Sequence, residues 1–128
     1  MDTENQWIVF TSAPSIGKIY TTQAKIEILP ENFSLKDALS VLYTKYKINS
    51  LLVEGGAKLV SSFIDEGLVD EMQIIESEKI FGSGLPLFGG KEKKIFEENF
   101  DSIDSMILSD DFVKIYRKNR RAENGRQQ

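Results

Sequence analysis

A chain of 128 residues, 41% of them hydrophobic, suffices for one domain with a core, and it holds no Cys and no His. That excludes disulfide scaffolds, thiolate or imidazole zinc sites, and Cys- or Ser–His-based nucleophilic catalysis; chemistry falls to carboxylates, lysines, hydroxyls, backbone groups or a bound cofactor, with no metal. A net charge of −4 and a pI near 4.9 argue against a nucleic-acid partner, and no apolar run reaches the roughly 18–20 residues that cross a bilayer, so no membrane partner is expected.

Met1–Gln6 is polar and acidic and lacks the basic start and apolar stretch of a secretory signal, so a soluble, cytoplasmic chain is expected. Trp7–Thr11 is apolar and β-rich and reads as a buried strand; Ala13–Gly17 is a loop broken by Pro14 and Gly17. Lys25–Leu29 alternates charged and apolar residues and reads as a short strand ending before Pro30. The period then changes. Leu35, Ala38, Leu39, Leu42, Tyr43 and Tyr46 recur three and four apart, which predicts a helix, with Ser34 as its N-cap, Asp37 near its positive end and Asn49 as its stop.

Ser50–Val53 is apolar on both faces, as in a strand covered on two sides. Glu54-Gly55-Gly56 follows, and Leu59, Val60, Phe63 and Ile64 form a second helical face that ends at Gly67. Glu71–Ser77 returns to strand, Ile80–Gly90 is a glycine-rich loop, and Ser105–Leu108 and Phe112–Tyr116 form a hairpin across Ser109–Asp111. The strand–helix–strand–helix–strand middle predicts right-handed crossovers. The expected fold is α/β: a mixed, mostly parallel sheet with flanking helices and a C-terminal antiparallel hairpin. The basic cluster of Arg117, Lys118, Arg120, Arg121 and Arg126 lies against a polar end with nothing to bury. It reads as solvated charge, with residues 119–128 as a tail.

The site candidate is Glu54-Gly55-Gly56 running into a helix. Ligands of open α/β sheets sit outside the carboxyl ends of strands. A helix start offers unpaired N–H groups and partial positive charge to a phosphate, and glycines let the backbone approach it. Lys58 lies in the first turn, and Ser61 and Ser62 one to two turns in. A tight turn that merely needs glycine fits the same pair, and no full G-x-G-x-x-G fingerprint is present. Glu54 fits a carboxylate that holds a polar heterocycle, and equally a solvated loop acid.

Leu52-Val53-Glu54-Gly55-Gly56-Ala57-Lys58-Leu59, then Phe63-Ile64, then Gly67-Leu68-Val69-Asp70-Glu71, then Ile80 through Phe88 resembles the C-terminal reductase domain of bacterial riboflavin biosynthesis proteins. The resemblance runs over roughly residues 5 to 118 and is strongest between 48 and 88. It implies a dihydrofolate-reductase-like fold for residues 1–118. It also implies NADPH-dependent conversion of 5-amino-6-(5-phosphoribosylamino)uracil into its ribitylamino product. By position, Glu54 resembles the substrate-binding acid. Gly55, Gly56, Ala57, Lys58, Leu59, Ser61 and Ser62 resemble the NADP-binding turn and helix start. Asp70-Glu71, Gly82 and Gly84 are expected to shape turns. No residue stands out as a general acid.

The zinc deaminase half of such proteins is absent, and so is the segment that precedes this part of the reductase domain in the family. The chain is therefore expected to open near the middle of the domain, and a homodimer is the expected assembly. Two other readings stay open: a sibling reductase with another pyrimidine or pteridine substrate, and a truncated module that binds nucleotide or dimerises without catalysis.

Overall fold

The computed structural model describes residues 7–13, 17, 23–80 and 82–119. It forms two compact units, residues 1–52 and 53–128. In the first, β1 (Trp7–Ser12) and β2 (Ala24–Leu29) pair in parallel, Trp7 opposite Ala24 through Ser12 opposite Leu29. Helix α1 (Leu35–Thr44) opens with a capping box. The Asp37 N–H donates to Ser34 Oγ at 3.2 Å, and the Ser34 N–H donates to Asp37 Oδ2 at 2.7 Å. Two otherwise orphaned donors are thereby satisfied. The helix closes earlier than Asn49: Lys47 takes a left-handed conformation, φ 58°, and its N–H bonds the Tyr43 carbonyl at 3.2 Å. The Lys45 ammonium and the Tyr46 hydroxyl both donate to Glu27 Oε1, which ties the end of α1 to β2.

The second unit holds α2 (Ala57–Asp65), β3 (Glu71–Ser77), α3 (Gly90–Asn99), β4 (Phe100–Leu108) and β5 (Asp111–Lys118). Gly67, φ 66°, ends α2: its N–H reaches Ile64 O at 3.0 Å and the Leu68 N–H reaches Phe63 O at 2.9 Å. This is the Schellman arrangement that a glycine just past a helix permits. The hairpin expected at the C-terminus is present, with Leu108 opposite Asp111 and Ser109 at φ 56°. The buried apolar residues among those described are Phe63, Ile64, Phe100 and Val113, all of this unit. Against them Phe96 of α3 meets Phe88, Phe100 and Tyr116 with ring centroids 5.2, 5.5 and 4.8 Å away.

Three expectations are corrected. The sheet is not mostly parallel: β1–β2 is a parallel pair, but β3, β5 and β4 form an antiparallel sheet in that order. The element order suggested crossovers between successive strands, yet β3 pairs with the last strand of the chain, and pairing partners are a tertiary choice. Second, Ser50–Val53 is irregular, with Leu52 81% exposed. Its apolar character suits a strand, but a strand exists only beside a hydrogen-bonded neighbour, and it has none among the described residues.

Third, Gly90–Asn99 is a helix where none was expected. Its sequence, Gly-Lys-Glu-Lys-Lys-Ile-Phe-Glu-Glu-Asn, carries one apolar pair and so lacks the repeat that marks an amphipathic face. Docking of Phe96, the Lys93–Glu97 and Lys94–Glu98 pairs one turn apart, and the Lys91–Asp65 ion pair to α2 hold it instead. The Met1–Gln6 segment and Arg120, Arg121 and Arg126 lie outside the described residues, as do parts of the Ala13–Gly17 loop and Phe81. Arg117 and Lys118 belong to β5. Arg117 pairs with Glu71 at 3.0 Å, and Lys118 Nζ donates to Gly67 O at 3.1 Å.

Candidate functional site

Glu54 through Ser62 lies wholly in the second unit, as a loop that runs into α2. Of the apolar face, Val60, Phe63 and Ile64 seat the helix, with Phe63 and Ile64 buried and Leu59 41% exposed, so the first turn stays open. Gly56 is the N-cap, extended at φ −69°, ψ 169°, and no side chain caps the helix. The N–H groups of Leu59 and Val60 turn back to Gly56 O at 3.1 and 3.3 Å. Those of Ala57 and Lys58 are left pointing out of the helix start. The first turn contains no acid, and Lys58, exposed, adds a positive charge to that of the helix dipole.

The two glycines differ. A Cβ on Gly55 would lie 2.9 Å from Leu59 Cδ2, the far end of an exposed side chain that can turn aside. A Cβ on Gly56 would meet nothing within 4 Å, and its backbone is one any L residue adopts. Neither glycine has a positive φ. The tight-turn explanation therefore does not account for Gly56, and the open space before it faces outward.

The start of α3 makes a useful contrast. Its N-cap is also a glycine without a side-chain cap, Gly89, but Glu92 folds back so far that a Cβ on Gly89 would lie 2.6 Å from Glu92 Oε2. That helix start carries its own carboxylate, whereas that of α2 offers its positive end outward. Glu54 is exposed just ahead of the glycines. Ser61 is half-buried, and the Ser62 hydroxyl donates to Lys58 O at 3.0 Å, which directs that proton into the helix. Gly82 has φ 76° and needs glycine for its turn. Glu71 is engaged by Arg117, and Asp70 O accepts from the Lys118 N–H at 2.9 Å, so this pair anchors the entry to β3. No group of three or more acidic residues placed to hold a metal occurs among the described residues.

Residues 1–118 match the family described as the RibD C-terminal domain. The chain belongs to that family. Within it, a 60-residue stretch is 35% identical to the riboflavin biosynthesis protein RibD of Aquifex aeolicus (strain VF5), covering 47% of this chain and 17% of that protein. The solved deaminase/5-amino-6-(5-phosphoribosylamino)uracil reductase of Thermotoga maritima is 26% identical. It superposes with a TM-score of 0.70 over 92% of this chain and 32% of its own. The riboflavin biosynthesis reductase Rib7 of Saccharomyces cerevisiae shares the fold at 20% identity and a TM-score of 0.66, over 89% of this chain and 56% of its own. The chain thus spans about a sixth of the Aquifex protein and a third of the Thermotoga one. The α/β fold is that of RibD-type reductase domains, with the described strands in one parallel pair and one antiparallel sheet.

Proposed function

We propose that this chain supplies the nucleotide-binding part of an NADPH-dependent reduction of 5-amino-6-(5-phosphoribosylamino)uracil to its ribitylamino product. The observation that carries the reading is the start of α2. Uncapped N–H groups, no first-turn acid, an adjacent lysine and an unfilled space before Gly56 make a seat for a phosphate. The reductase activity named for the Thermotoga relative supplies the substrate class. NADPH, when bound, supplies the hydride.

In this reading the N–H groups of Ala57 and Lys58 hold a cofactor phosphate, and Gly55 and Gly56 let it approach. Leu59 lies beside Gly55, and Ser61 and Ser62 lie along the same helix start. Glu54 accepts N–H bonds from the pyrimidine and so orients the sugar carbon toward the hydride donor. The proposed setting is the cytoplasm, and the proposed assembly is a homodimer.

Calorimetric titration with NADPH tests the reading, with NADH and the Gly56→Val variant as controls. Micromolar-range NADPH binding, weakened at least tenfold by Gly56→Val in a folded chain, is expected. Absence of NADPH binding by the folded chain overturns it. Glu54→Gln is expected to weaken the pyrimidine more than NADPH. Equal weakening of both ligands by the Glu54 and Gly56 variants would reject the division of roles.

A further inference from the structure

We draw no further inference here: the strongest candidate, the exposed apolar patch that Ile75 of β3 and Met106 of β4 form on either side of Val113 in the antiparallel sheet, carries none because nothing in the structure shows what covers it.

Discussion

At Gly56 neither the backbone nor the packing asks for glycine, since its φ of −69° is ordinary and the space where a Cβ would stand is vacant. A side-chain acceptor there would improve the helix, because Asp at an N-cap bonds the N–H groups that glycine leaves bare and adds charge that the dipole favours. Gly56→Asp is therefore expected to raise stability by a few tenths to about 1 kcal/mol, seen in denaturant melts. The same change should lower NADPH affinity at least tenfold, since the added carboxylate takes the donors and repels phosphate. A variant that gains stability and loses no affinity would sink the phosphate-seat assignment.

Asp37 gives a second residue-scale test. Hydrogen bonds from the Ser34 backbone first and its hydroxyl second hold this carboxyl below its ordinary value of 3.8. The native pKa is thus below the unfolded one, so the contribution of the charged form is fully present above pH 3.8 and disappears as pH falls through the lowered native value. The difference in thermal midpoint between the native chain and Asp37→Asn should be largest near neutrality and close in strong acid. Ser34→Ala, which removes the other half of the box, is expected to cost about 1 kcal/mol.

Among the elements, α3 depends on tertiary contact more than on its own sequence. Eight of its ten residues are Gly, Lys, Glu or Asn, and Phe96 is the side chain that docks it against Phe88, Phe100 and Tyr116. Phe96 is half-buried, so Phe96→Ala is expected near the low end of aromatic truncations, about 2–3 kcal/mol, and Phe96→Leu well below that. Amide exchange across residues 90–99 should accelerate in Phe96→Ala more than exchange in β5. Equal acceleration of both would mean that α3 is not the weaker element. The helices α1 and α2 could be read from the sequence because each displays its own signals: an apolar repeat on both, Ser34 before the first and Asp37 in its first turn, Gly67 after the second. In α3 the helix-forming signal is a run of lysines and glutamates that fits solvated loop equally well.

On the scale of the whole molecule, the four buried apolar residues among those described all lie in the unit of residues 53–128. In residues 1–52 the buried residue among those described is Thr11, while Trp7 and Tyr43 are 66% and 64% exposed. Burial of apolar surface is the main term that holds amides closed. Hydrogen exchange should therefore protect β5 and α2 most and release β1, β2 and α1 first. Uniform protection of both units would contradict this.

The sequence by itself determined the local elements β1, β2, α1, α2, β3 and the hairpin, because periodicity, capping and turn chemistry act over a few residues. Through Val53-Glu54-Gly55-Gly56 and the motifs that follow, it also determined the family. Only the tertiary structure decided that β3 joins β5, that Ser50–Val53 has no partner strand among the described residues, and that α3 is a helix. It also separated the two glycines, one beside Leu59 and one open. Each of these depends on which distant groups come within hydrogen-bonding or van der Waals reach, and a local pattern of residues does not carry that information.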